Sequence, residues 1–178
     1  MLAEPRISNV FLGRFVKPFG IKGELKFVGS DDLWPEVLES KRLELRRIVD
    51  GDVQSGPARI ERIRPHGNHF VVKLEDVDDR NGAELQVGGE LFVDIDNLDV
   101  ELPDYELPFQ VLGLNIRTEE GRDIGVLRSV MFSAAHAVYV VDGEDGEVMI
   151  PAVPEFIVKK DEQAGEIVIR PIDGLLDG

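Results

Sequence analysis

Short strand-like runs alternate with turn signals along almost the whole chain, and this rhythm constrains the fold more than any other feature. NVFLGRFV (Asn9–Val16), ELKFV (Glu24–Val28), RLELRRIV (Arg42–Val49), ARIERIRP (Ala58–Pro65) and HFVVKLE (His69–Glu75) carry the β-branched, aromatic and alternating residues of half-buried antiparallel strands. KPFGIKG, DGDVQSGP and HGN separate them, each with residues that turns require. GELFVDID (Gly89–Asp96) adds one more strand. Helical signals are short. DDLWPEVLES (Asp31–Ser40) offers Asp31 or Asp32 as an N-cap, with Pro35 in the first turn. DVDDRNGAELQ (Asp76–Gln86) is a second short helix, weakened by Gly82.

NLDVELPDYELPFQ (Asn97–Gln110) interrupts the rhythm with two prolines, several acidic residues and no clean period, as an interdomain linker does. Strand pairs then resume. VLGLNIRT and IGVLRSVMF flank EEGRD, VYVVD and EVMIPAV flank GEDG, and FIVKKD and EIVIRP flank EQAG. The tail ends with an apolar Leu175–Leu176 pair. The expected organisation is a β domain over 1–96, a linker over 97–110 and a second β domain over 111–178. Strands at this spacing build small sandwiches or barrels.

Charge divides the chain in the same way. Residues 1–93 hold 14 Lys and Arg against 16 Asp and Glu, a net of −2. Residues 94–178 hold 6 against 19, a net of −13. The near-neutral half can face RNA through a local basic patch, whereas the acidic half repels RNA and attracts a basic protein. The basic candidate is GRFVKPFGIKGELKF (Gly13–Phe27), which holds four basic residues, three glycines and a proline. Glycine lets a phosphate approach backbone N–H groups, and nearby lysines supply charge. Gly20–Gly23 formally matches the GXXG of KH domains, but that loop needs helices on both sides and these flanks are strands.

Nothing in the chain marks catalysis. His66 and His69 flank a Gly-Asn turn, and without cysteine there is no zinc set to complete, so they read as turn residues. Ser133 and His136 lie close together but lack a nucleophile elbow. DGEDGE (Asp142–Glu147) lacks the ligand spacing of a calcium loop, and no phosphate-binding loop appears. The expectation is a non-enzymatic protein without metal or cofactor. No apolar run approaches the ~20 residues of a membrane span. MLAEPRISNV lacks the build of a signal peptide, and the absence of cysteine fits a reducing cytoplasm.

GRFVKPFGIKGELKF resembles the N-terminal signature of the ribosome maturation factor RimM family. Gly13, Arg14, Lys17, Pro18, Gly20, Ile21, Lys22, Gly23 and Glu24 fit that signature. DDRNGAEL is similar to the family's Asp-Arg-Asn helix, VLGLNIRTEEGRDIGVLRSV to the start of a PRC barrel, and IPAVPEFI with PIDGLLD to the family's C-terminal end. The resemblance covers nearly the whole chain in the right order. It implies an all-β protein of two small barrels with short helices, the first similar to domain II of elongation factors, the second a PRC barrel. It also implies a monomeric assembly factor that binds the free 30S subunit and acts on its head, the 3′ domain of 16S rRNA, through rRNA and a basic ribosomal protein of that head.

By position, the RNA-binding candidates are Arg14, Lys17, Phe19, Gly20, Lys22, Gly23 and Lys26. The candidates for the ribosomal protein are Tyr105, Leu107 and Phe109, aromatic and apolar residues of the kind that anchor interfaces. Pro151, Pro154 and Phe156 have structural roles, fixing a strand exit and packing the core. Three positions depart from the family. Phe19 stands where a histidine is usual and offers a stacking or packing surface. Glu106, Leu107 and Pro108 stand where an aromatic pair is followed by Trp or His, and Ala135-His136 replaces Asn-Asp. The competing readings are a cofactor-binding β-barrel enzyme, which lacks a nucleotide-binding partner domain here, and a membrane-associated PRC-barrel adaptor, which lacks an anchor.

Overall fold

The computed structural model describes residues 8–171 and Gly174. The Leu175–Leu176 pair, and PIDGLLD apart from Pro171 and Gly174, lie outside the described residues. The chain divides after Glu106 into two compact units. Both are all-β: neither has enough helix to cover a sheet face, so each sheet curls around its own core as a small barrel.

The first unit has seven strands: β1 (Asn9–Phe19), β2 (Glu24–Gly29), β3 (Leu43–Val49), β4 (Asp52–Pro57), β5 (Ile60–His66), β6 (His69–Leu74) and β7 (Glu90–Asp94). Their order is β4-β3-β7-β1-β2-β6-β5, antiparallel throughout. Alternation sends Val10, Leu12, Phe15, Leu25, Phe27, Leu91 and Val93 into the core. Strand β1 pairs with both β7 and β2, and its register shifts twice, between Phe11 and Gly13 and between Phe15 and Lys17. Such bulges bend a strand and let a sheet coil. Gly13 makes the first bend possible: its φ is 150°, and a Cβ there would lie 2.3 Å from the Val28 carbonyl oxygen.

Three local expectations change. KPFGIKG is not all turn, because β1 continues through Phe19. DGDVQSGP is mostly strand β4, and the turn shrinks to Asp50 and Gly51, both at positive φ. Strand β4 lies on the sheet edge and is largely exposed, so it shows no alternation of polarity to read. The first helix is a 3-10 turn, Pro35–Glu39, capped by Trp34 rather than by Asp31 or Asp32. Trp34 is fully buried, and its Nε1 donates to the Glu101 carbonyl at 3.0 Å. That burial holds the chain extended up to Pro35, which takes the first helical position. Helix α1 (Arg80–Glu84) forms as expected. Asp79 caps it by accepting from the Gly82 N–H at 2.7 Å.

The stretch 97–110 has two parts. Asp99 accepts from Ser40 Oγ at 2.5 Å and from the Lys41 N–H at 3.0 Å, so with Glu101 it is tied to the first unit. Helix α2 (Pro108–Val111) opens the second unit, with Pro108 in its first turn and Gln110 Oε1 accepting from the Leu107 N–H at 2.7 Å. The second unit continues as β8 (Asn115–Thr118), β9 (Asp123–Phe132), β10 (Ala137–Gly143), β11 (Gly146–Pro151), β12 (Ile157–Asp161) and β13 (Glu166–Ile169). Their order is β11-β10-β9-β8-β13-β12, and only β8 with β13 is parallel. Ile116, Leu127, Tyr139, Val141, Ile150, Ile167 and Ile169 form its core, against which Phe156 packs.

Candidate functional site

The outer face of β1-β2-β6-β5 gathers Lys17, Lys26, Arg62 and Arg64. Leu25 and Phe27 point inward from β2, so Glu24 and Lys26 point outward. Strand pairing then lays out the face. Lys17 stands opposite Lys26, Lys26 opposite Val71, and Val71 opposite Arg64. In a second row, Phe19 stands opposite Glu24, Glu24 opposite Lys73, and Lys73 opposite Arg62. At the β5-β6 turn His66 stands opposite His69.

The charges on this face do not cancel. Arg62 and Arg64 share Glu24, each at 3.3 Å, and the Glu24 carboxylate is mostly covered between them. Lys73 is buried and pairs with Asp78 at 2.9 Å and Glu61 at 3.3 Å, bracing β6 against the loop before α1. Lys17 and Lys26 form no ion pair with any described residue. Their field is felt at His69. Desolvation first, then Lys26, His66 and Lys17, push its imidazole below the ordinary histidine pKa.

Aromatic rings interleave with these cations. The Phe19 and His66 centroids are 5.1 Å apart at an interplanar angle of 68°, and His66 and His69 are 4.9 Å apart at 43°. The Arg64 guanidinium lies 5.1 Å from the centre of the Phe19 ring, within cation–π range. His66 is exposed, and Phe19 and His69 are half-buried.

The two loop glycines have different tasks. Gly20 has φ 69° and open space where a Cβ would stand. Its carbonyl accepts from Arg80 Nη1 at 3.2 Å. Gly23 has φ 81°, and a Cβ there would lie 1.9 Å from the Val77 carbonyl oxygen. It is buried and lets the β1-β2 turn rest on the loop before α1. Ile21, 76% exposed, and Lys22 project from the tip between them. Arg14 lies further along β1, where it pairs with Glu90 at 2.6 Å.

The second set of candidates is split by the domain division. Tyr105, 56% exposed, belongs to the first unit, whereas Leu107 and half-buried Phe109 belong to the second. Leu107 is 1% exposed, and the structure gives it a packing role. Reading the sequence missed Arg62, Arg64, His66 and His69. The signal was present in ARIERIRPHGNH: a period of two places Arg62, Arg64 and His66 on one face, and the two-residue turn returns His69 beside them. No group of described residues could hold a metal ion. No described helix is long and apolar enough to cross a membrane.

Known proteins are similar to this chain in sequence. The model of the RimM N-terminal domain matches residues 10–98, and that of the RimM PRC barrel domain matches residues 108–175. A ribosome maturation factor RimM from Prosthecochloris aestuarii is 35% identical over 165 residues, covering 92% of this chain and 95% of the relative. One from Anaeromyxobacter dehalogenans is 32% identical over 175 residues, covering 96% and 99%. A crystal structure of a 16S ribosomal RNA processing protein RimM from Pseudomonas aeruginosa is 30% identical and covers 90% of this chain and 96% of its own, with a TM-score of 0.45. The N-terminal domain of RimM from Thermus thermophilus, solved in solution, is 33% identical over 56% of this chain and 100% of its own, with a TM-score of 0.39. From its N-terminal barrel to its PRC barrel, the chain belongs to the ribosome maturation factor RimM family.

Proposed function

We propose that this protein is a non-enzymatic factor of small-subunit assembly, working in the cytoplasm as a monomer on the free 30S subunit. It assists maturation of the subunit head, the 3′ domain of 16S rRNA. The first barrel meets rRNA through Lys17, Lys26 and Arg64, with Lys22 at the adjoining loop tip. The second, acidic barrel holds a basic protein of the head, with Phe109 as a half-buried anchor, and exposed Tyr105 of the first unit is a separate contact candidate. The observation that carries this reading is the concentration of cations and rings on one face of a chain whose net charge is −15, with Lys17 and Lys26 unpaired among the described residues. Against that global charge, only a local cluster can bring RNA close.

The test is co-sedimentation with 30S subunits, 70S ribosomes and free rRNA at two or more salt concentrations. The expected result is selective association with 30S that weakens steeply with salt. Lys17→Glu with Lys26→Glu removes two phosphate contacts. The log–log salt slope should flatten by about 1.4–1.8, and affinity should fall. No association at low salt would overturn the reading. Unchanged binding by the folded double variant would remove this face from it.

A further inference from the structure

We infer that the outer face of the first barrel takes an unpaired RNA segment, one base stacking on the Phe19–His66–His69 row while Lys17, Lys26 and Arg64 hold the flanking phosphates. This rests on the assembly-factor reading and names the kind of RNA that site recognises. A face that only gripped duplex would need cations alone, because an A-form helix turns its phosphates outward and hides the faces of its bases. Here three rings run side by side among the cations, with centroid spacings of 5.1 and 4.9 Å. They meet at 68° and 43° rather than in a parallel stack, so they do not saturate one another's faces.

Solvent reaches these rings: His66 is exposed, and Phe19 and His69 are half-buried. Arg64, 5.1 Å from the Phe19 ring centre, adds a guanidinium plane of the kind on which bases also stack. Glu24, the carboxylate nearest these groups in the pairing, is held between Arg62 and Arg64 and presents little free negative charge. Phe19 supplies the one ring of the row that carries no titratable group. A phenyl ring cannot take up a proton, so its part is independent of pH and of salt.

The test is equilibrium binding of the full chain to a fluorescein-labelled single-stranded RNA of about twelve nucleotides, a length suited to one barrel. A duplex of the same sequence and an abasic strand of equal charge serve as comparisons. Single-stranded RNA should bind at least about tenfold tighter than either. Phe19→Leu keeps an apolar side chain and should weaken the single strand by about five- to hundredfold, leave the duplex unchanged and preserve the salt slope. The abasic strand needs no variant, so the inference stays exposed even if Phe19→Leu fails to fold. Equal affinity for single strand, duplex and abasic strand would overturn it. Polyglutamate binding as tightly as RNA would also overturn it, in favour of an acidic peptide. Sedimentation with 30S separates the two levels: persistent 30S association without base dependence overturns the stacking alone, and loss of that association overturns the assembly reading beneath it.

Discussion

Gly20 and Gly23 look alike in the sequence, and replacing each by alanine should separate a backbone that merely turns from one that must pack. Both residues sit at positive φ, 69° and 81°, where an L-side chain costs about 1–2 kcal/mol. Gly20→Ala incurs that cost and nothing more, because a Cβ there would stand in open space. Gly23→Ala also drives a Cβ to 1.9 Å from the Val77 carbonyl oxygen and 2.6 Å from its carbonyl carbon. The backbone must retreat by roughly 1 Å, and forcing atoms into a packed site costs about 1–3 kcal/mol more. The expected totals are about 1–2 kcal/mol for Gly20→Ala and about 2–5 kcal/mol for Gly23→Ala. Trp34 is the only tryptophan and is fully buried in the first unit, so its fluorescence in urea reports that unit directly. With a slope of about 1–2 kcal/mol per molar for a unit of this size, the Gly23→Ala midpoint should fall by about 1 M or more, well beyond that of Gly20→Ala. Equal midpoints for the two variants would refute the packing argument. If Gly20→Ala stays stable but loses RNA affinity, the open side of that glycine is an approach path for phosphate.

Two further outcomes follow from titratable groups. His69 is held below its ordinary pKa by desolvation and by Lys26, His66 and Lys17, so the free protein favours its neutral ring. An RNA phosphate favours the protonated ring, so RNA affinity should rise as pH falls from about 7.5 towards 5.5, and His69→Gln should flatten the rise, as fluorescence titrations would show. The same depression makes the ring's contribution to stability fade as pH drops below the unfolded value, since the unfolded chain takes up the proton first. Asp99 is held below the ordinary carboxylate range, first by the Ser40 hydroxyl and then by the Lys41 N–H. Its contribution is present above the unfolded pKa and is lost as pH falls through the folded one. Asp99→Ala should therefore expose 97–106 to limited proteolysis at neutral pH while the wild type resists, and acid should make the two alike.

How much was legible in the sequence depended on whether burial left a periodic mark. Strand β2 presents one face to a core, so its alternation can be read directly, whereas bulged β1 was legible from its β-branched and aromatic content. Strand β4 lies at an edge with nearly every side chain exposed, and with no burial there is no period. Helix α2 spans only four residues and begins with Pro108, so its apolar residues read as linker. The 3-10 turn was visible, but its cap was not, because Trp34 is placed by a hydrogen bond to Glu101, 67 residues away. The site divides along the same line. The basic loop could be read because it is contiguous, whereas the face it belongs to joins Lys17 and Lys26 to Arg64, His66 and His69 through pairings across three strand boundaries. Gly20 and Gly23 could not be told apart, because the difference between them is the nearness of Val77.

A net charge of −15 is a poor starting point for an RNA-binding protein, and that opposition has a use. At physiological ionic strength, screening sets in over about 8 Å, so RNA near the surface responds to the nearest few side chains rather than to the sum. Over the Lys17–Lys26–Arg64 face it meets cations, the covered Glu24 carboxylate, the Glu61 and Asp78 carboxylates tied to Lys73, and open rings. Elsewhere the excess of acidic residues repels it. Affinity spread over a uniformly basic surface would tolerate many orientations and many RNAs. Affinity confined to one face of an acidic molecule rejects every approach but one, so the acidic residues supply selectivity by excluding the wrong encounters. They give up some binding strength to do so.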